Sequence, residues 1–374
     1  MITRAIQSFI ESQLFLGKII IIYGPRQVGK TTLAKLLLEK YGDSNDYYTA
    51  DDYDIIERLS NQTSTTLGSF VWSKKMIVID EAQRIPNIGL TLKLLHDFYP
   101  QTQIIATGSS SFDLANNINE PLTGRKFTYL LHPFSLGELL TNQPLVYHQR
   151  MLSEYLQYGF YPDVYLHNDS TNKQKLLEEI KNSYLYKDIL NFRKIRKPEL
   201  IIKLLQALAL QLGNEVSYNE LGQLLGVDKQ TIEEYITILE QAFIVYKLPS
   251  LQRNMRNELK KSKKIYFWDI GIRNALINNT NPLHLRSDNW AIRENVAITE
   301  RKKYLDNNQQ FATTYFWRTQ TQQEIDYIEE MGWMMNCYEC KRWKKSANIP
   351  SSFATNYPEY KRHILHPETI REYV

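Results

Sequence analysis

Apolar positions along this chain follow two periods, and the switches between them mark its elements. Ile19-Ile20-Ile21-Ile22, Met76-Ile77-Val78-Ile79 and Gln103-Ile104-Ile105-Ala106-Thr107-Gly108-Ser109 contain continuous apolar or β-branched runs and read as strands buried on both faces. Helical spacing covers residues 1–17 (ending near Gly17), 30–40, 53–60 and 88–98. A short strand ending in acids, Asp46-Tyr47-Tyr48-Thr49-Ala50-Asp51-Asp52, lies among them, and the Ser/Thr-rich stretch 63–69 reads as a loop. Phe127-Thr128-Tyr129-Leu130-Leu131 then resumes an apolar strand. Strands alternating with helices over 19–130 predict an α/β fold with a parallel sheet wound on both faces.

The pattern changes after that block. Residues 140–197 read as mostly helical and rich in tyrosine. Helical patterns at 199–212, 217–225 and 229–241 follow, then strands at 243–248 and 264–268. Ser217 with Glu220 three residues on forms a capping box, and Gly226-Val227-Asp228 is a tight turn in which Asp228 caps the next helix. That is helix-turn-helix spacing, and two strands after the second helix add a wing. The last segment reads helix 289–305, strands 312–318, 324–329 and 334–341, helix 349–356, strand 361–366. Four domains are expected: 1–139, 140–197, 198–268 and 269–374.

Composition narrows the class. The 374 residues are 43% hydrophobic and 23% charged, and a core-forming chain of this length suffices for two to three domains. No apolar run reaches the ~18 residues of a membrane-spanning helix. The N-terminus reads as an amphipathic helix containing Glu11, not a signal peptide. Two cysteines make no disulfide framework, which agrees with a cytoplasmic location. Cys337 and Cys340 are three apart on a strand and face opposite ways, so they read as packing residues rather than a metal pair. A net charge of +4 does not by itself indicate nucleic acid.

The chemistry starts where the first buried strand ends. Gly24-Pro25-Arg26-Gln27-Val28-Gly29-Lys30-Thr31-Thr32 carries the Gly-x-x-x-x-Gly-Lys-Thr spacing between a strand and a helix. Two glycines let the backbone curl so that its N–H groups point at phosphate oxygens, and the helix N-terminus adds its positive dipole end. Lys30 reaches the β- and γ-phosphates, and the Thr31 hydroxyl suits Mg²⁺; Thr32 reads as packing or capping. The second buried strand delivers Asp80 and Glu81 at its C-terminal end, where ligands sit in open α/β sheets. Asp80 would hold Mg²⁺ through water and Glu81 would polarise the attacking water as general base, unless the pair only caps the next helix. Thr107 or Ser109 on the third strand can reach the water or the γ-phosphate; Ser109 is favoured. Arg125 has two readings: charge supplied to a neighbouring subunit's γ-phosphate, which implies a homo-oligomer, or pairing with a local carboxylate.

These blocks together, with Asp80-Glu81-Ala82-Gln83, Thr107-Gly108-Ser109-Ser110, Leu122-Thr123-Gly124-Arg125 and Pro133-Phe134-Ser135-Leu136-Gly137-Glu138, resemble the prokaryotic AAA-type ATPases that carry a C-terminal DUF4143 domain. Tyr158-Gly159-Phe160-Tyr161-Pro162 and Tyr186-Lys187-Asp188 are similar to later blocks of that family. The resemblance implies ATP as the nucleotide and makes 140–197 a helical lid on the ATPase core. It places no second sensor arginine.

The basic run Arg253, Arg256, Lys260, Lys261, Lys263 and Lys264 falls in the wing and suits phosphate-backbone contact with DNA, whereas Glu233, Glu234 and Glu240 oppose deep insertion of the preceding helix. Protein contact is the competing use. The order of elements after 289 looks like the PD-(D/E)xK nuclease fold. That likeness implies Glu294, Asp326, Glu339 and Lys341 as a site with its own divalent metal. Ile325 stands where a proline usually precedes the Asp, and an inactive docking domain is the competing reading.

Overall fold

The computed structural model describes residues 2–41, 44–109, 121–183, 197–251, 263–319, 321–341 and 349–365. The chain divides into two compact units, Thr3–Pro133 with Gln241–Phe243, and Phe134–Glu240 with Ile244–Val374.

In the first unit, α1 (Gln7–Gln13) leads to β1 (Ile19–Tyr23), α2 (Lys30–Lys40) and β2 (Asn45–Thr49). Then come α3 (Tyr53–Leu59), α4 (Ser64–Val71), β3 (Met76–Asp80), α5 (Ile88–Phe98), β4 (Gln103–Gly108) and β5 (Lys126–Leu130). The five strands are parallel in the order β2-β3-β4-β1-β5. Ile19 to Ile22 are buried along their whole length, as an apolar run in a doubly covered strand must be. Strand β4 stands between β1 and β3, so the loop after β1 faces the end of β3 across the end of β4.

Two expectations for this unit change. Helix α1 ends at Gln13, four residues before Gly17. Residues 64–71 form helix α4, not a loop. Thr63 caps it by accepting from the Thr66 N–H at 3.3 Å, and Leu67, Phe70 and Val71 enter the core beside α5 at helical spacing. Hydroxyl-rich composition signals a loop only where no apolar stripe runs through it.

The second unit begins with α6 (Leu136–Leu140), α7 (Leu145–Tyr158), α8 (Pro162–Leu166) and α9 (Ser170–Ser183). It continues with α10 (Pro198–Leu210), β6 (Glu215–Val216), α11 (Tyr218–Leu225), α12 (Lys229–Gln241), β7 (Val245–Pro249) and β8 (Lys263–Phe267). Strands β6, β8 and β7 make an antiparallel sheet in that order. Next are α13 (Ile270–Leu276), α14 (Asn289–Asn307), β9 (Thr313–Arg318), β10 (Glu324–Met331), β11 (Met334–Cys340), α15 (Ser351–Asn356) and β12 (Tyr360–Leu365). Strands β12-β11-β10-β9 form a sheet in which only the β11–β12 pair is parallel, so α15 serves as its crossover.

Helices α7 and α9, read from the sequence as part of a lid, pack on α13 inside this second unit. The contact is close. Asp269 accepts from the Phe160 N–H at 2.7 Å and the Ile272 N–H at 3.1 Å. A Cβ on Gly271 would lie 2.0 Å from the Tyr158 carbonyl oxygen, so only glycine lets the two backbones meet there. Tyr186, Lys187, Asp188 and Ser110 lie outside the described residues.

Candidate functional site

The phosphate-loop backbone is already curled. Gly24 has φ +146° and Gly29, the N-cap of α2, has φ +93°; Gln27 is left-handed at φ 59°. A Cβ on Gly24 would lie 2.2 Å from the Leu131 carbonyl oxygen, so the loop is seated directly on the chain leaving β5. Pro25 and Val28 are buried, Arg26 is half-buried, and Thr32 is exposed on the first turn of α2 rather than packed. Arg4, itself buried, donates to the Val28 carbonyl at 2.6 Å and the His132 carbonyl at 2.6 Å, clamping the loop from beneath. The Lys30 ammonium donates to the Gly24 and Pro25 carbonyls at 2.9 and 2.6 Å, so it lies inside the loop.

Asp80 collects three hydroxyls. Thr31 donates to its Oδ2 at 2.8 Å, Tyr47 to the same oxygen at 2.6 Å, and Thr107 to its Oδ1. Burial and the neighbouring Asp80 carboxylate hold the Tyr47 phenol well above its ordinary pKa, so Tyr47 remains a donor. Thr31 and Asp80 together offer two hard oxygen ligands, the kind that Mg²⁺ takes alongside substrate phosphates. These residues fit the ion.

Glu81 sits in the left-handed region at φ 52°, with its N–H held by the Thr107 hydroxyl at 3.1 Å. That turns its carboxylate onto Gln83, whose Nε2 donates to Glu81 Oε2 at 2.5 Å and to Ser109 Oγ at 3.0 Å. Glu81 and Ser109 are therefore linked through one amide. Arg125 is not brought to this place. It precedes β5 at the opposite end of the sheet, where it binds Asp97 twice, Nε to Oδ1 at 2.8 Å and Nη2 to Oδ2 at 3.2 Å. That pair holds the Asp97 carboxyl down to about 2. Arg4 and Tyr47 have no motif to announce them, since each depends on chain segments meeting in space.

In the second unit the four C-terminal positions share one neighbourhood. Asp326 Oδ2 accepts from the Cys340 N–H at 2.7 Å, and the Lys341 ammonium is 2.6 Å from Glu339 Oε2. Burial first, then the nearby Glu294 and Glu339 carboxylates, push Asp326 up to about 7, with Lys264 opposing. Lys264 corrects the expectation made for the basic wing. It is 2% exposed and paired with Glu294 and Glu324, so it cannot reach a DNA backbone. Lys263 is half-buried, with its ammonium 5.6 Å over the Tyr218 ring. Arg253, Arg256, Lys260 and Lys261 lie outside the described residues. Among the described residues no group of three or more His, Cys, Asp or Glu side chains is disposed to hold a metal ion, and no helix is long and apolar enough to cross a membrane.

The sheet order, the glycine loop and the carboxylates at the end of β3 give the first unit a likeness to AAA-type P-loop ATPase domains. Residues 16–140 match the AAA domain family, 149–283 match a domain of unknown function (DUF8612), and 291–370 match a domain of unknown function (DUF4143). The chain is similar to the uncharacterized protein MJ1544 of Methanocaldococcus jannaschii, 24% identical over 92% of this chain and 80% of that one. It is also similar to the uncharacterized protein Rv2008c of Mycobacterium tuberculosis, 26% identical over 87% of this chain and 70% of that one. Among solved structures, the Walker-type ATPase PABY2304 of Pyrococcus abyssi aligns with a TM-score of 0.51 and 15% identity, over 74% of this chain and 96% of that one. That likeness is one of fold.

Proposed function

We propose that the first unit hydrolyses ATP with Mg²⁺, and that the second unit uses the nucleotide state to engage a partner. The observation that carries the first part is the Thr31–Asp80 hydrogen bond of 2.8 Å beside Lys30 and Glu81, which supports reading Thr31 and Asp80 as Mg²⁺ ligands, Lys30 as the phosphate-binding ammonium and Glu81 as the base. The loop N–H groups and Lys30 bind the phosphates. Thr31 and Asp80 would hold Mg²⁺, which would supply positive charge against the phosphates. Glu81 takes a proton from the attacking water, and Ser109, through Gln83, orients Glu81. Tyr47 and Thr107 fix the Asp80 rotamer by each donating to one of its two oxygens, which leaves a lone pair on Oδ1 open. Arg125 is read as the local partner of Asp97; a homo-oligomer using it in trans would first have to open that pair. Phosphate release from ATP should require Mg²⁺ and stop on chelation; release that continues in excess chelator would remove Thr31 and Asp80 from the mechanism.

DNA is the partner class that the second unit suits best. The described elements between residues 198 and 267 run helix, strand, helix, helix, strand, strand, with the sheet order expected of a winged helix. The carboxylates Glu233, Glu234 and Glu240 on α12 favour backbone contact over base reading. Binding of duplex DNA across salt concentrations tests this. With Z phosphate contacts, log affinity should fall with log salt at a slope of about −0.9Z. A flat response, or no binding at low salt, would favour a protein partner.

A further inference from the structure

A nuclease-like reading of the last domain requires a divalent metal between Glu294, Asp326 and Glu339, and the side chains gathered there do not fit one. Lys264, reaching in from β8, is 2% exposed. Its ammonium lies 3.2 Å from Glu294 Oε1 and 2.7 Å from Glu324 Oε1. The Tyr266 hydroxyl donates to the same Glu294 oxygen at 2.6 Å. Asp326 is held by the Cys340 N–H and Glu339 by Lys341. Every one of the four carboxylates already faces a donor from the protein.

We propose that Lys264 is the resident cation of this carboxylate cluster, standing where a divalent metal would have to bind, so that the C-terminal domain takes up no metal while Lys264 is in place. Several carboxylates cannot stay charged in a buried space without a counter-charge, and an unpaired ammonium cannot stay charged there either. Each solves the other's problem. Burial alone would lower the Lys264 pKa, and the carboxylates of Glu294, Glu324 and Asp326 hold it above its ordinary value instead. Geometry locks the arrangement. Lys264 pairs with Glu215 on β6 and with Leu248 on β7, so its backbone sits in the middle of a three-stranded sheet. Strand alternation then sends Lys264 inward and Lys263 toward the outer face. A lysine from the winged sheet is thus built into the centre of the neighbouring sheet's acidic cluster. This favours a C-terminal domain that docks over one that cuts.

Mn²⁺ titration of the full chain without nucleotide, followed by the spin-resonance signal of free Mn²⁺, tests the inference. Wild type and Asp326→Asn should take up the same amount of Mn²⁺. Lys264→Met, checked for folding by its thermal transition, should take up one further equivalent, and adding Asp326→Asn should remove it. An Asp326-dependent site in the wild-type chain would overturn the proposal, and so would folded Lys264→Met with no added uptake. If Lys264→Met does not fold, the wild-type comparison with Asp326→Asn still decides. Lys264→Arg, which keeps the charge, should fold and show no Asp326-dependent uptake; such uptake would overturn the proposal as well.

Discussion

Replacing Glu81 by Gln is expected to abolish ATP turnover while leaving ATP bound. Glutamine keeps the shape of the side chain and one oxygen to accept from Gln83, so the left-handed turn after β3 and the Thr31–Asp80 pair stay in place. The amide cannot accept a proton at neutral pH. Loss of a positioned general base lowers turnover by about 10²–10⁴. A fluorescent ATP analogue measures binding and phosphate release measures turnover. Weak binding with proportionate loss of turnover would instead make Glu81 a structural cap of the short turn that follows it.

Gly24→Ala should remove both ATP binding and much of the first unit's stability. The new methyl would stand 2.2 Å from the Leu131 carbonyl oxygen and 3.1 Å from its carbon, and both neighbours are backbone that cannot rotate aside. Either β1 or the chain leaving β5 must move. Overpacking of that kind costs about 3 kcal/mol or more, and the curled N–H groups lose their common focus. Gly17→Ala is the matched control: its φ is +70° and nothing lies within 4 Å of the added carbon. It carries the left-handed penalty alone, about 1–2 kcal/mol. Thermal unfolding and nucleotide titration of the two variants separate crowding from strain. If Gly24→Ala bound ATP like the wild type, the seat of the loop on Leu131 would not matter.

What the sequence made legible is local, and what it hid is tertiary. Strands β1, β3 and β4 announce themselves as apolar runs because both faces are covered, and the glycine loop announces itself because its φ angles need glycine at fixed spacing. The order of elements from Asn289 to Leu365 was readable for the same reason, each element carrying its own period. Helix α4 was hidden by its hydroxyl residues, because Leu67, Phe70 and Val71 matter only once a core exists to receive them. The destination of Lys264 was also hidden. A lysine in a basic run looks solvated until its strand is paired and its face is known. The packing of α7 and α9 on α13 was hidden as well, since it depends on the meeting of Gly159, Asp269 and Gly271. Arg4 and Tyr47 belong here too, since no spacing rule joins residue 4 to residue 28 or residue 47 to residue 80.

The central claim is that residues 24–32 with Asp80 and Glu81 form a working ATPase site. Steady-state phosphate release from Mg²⁺ and ATP by the wild-type chain, measured beside Lys30→Ala, tests it most directly. The Lys30 ammonium donates to the Gly24 and Pro25 carbonyls inside the loop, so the thermal transition of Lys30→Ala is recorded alongside to show that the variant folds. Turnover by the wild type that falls to background in Lys30→Ala is the predicted result. Equal rates in the two proteins would contradict the account.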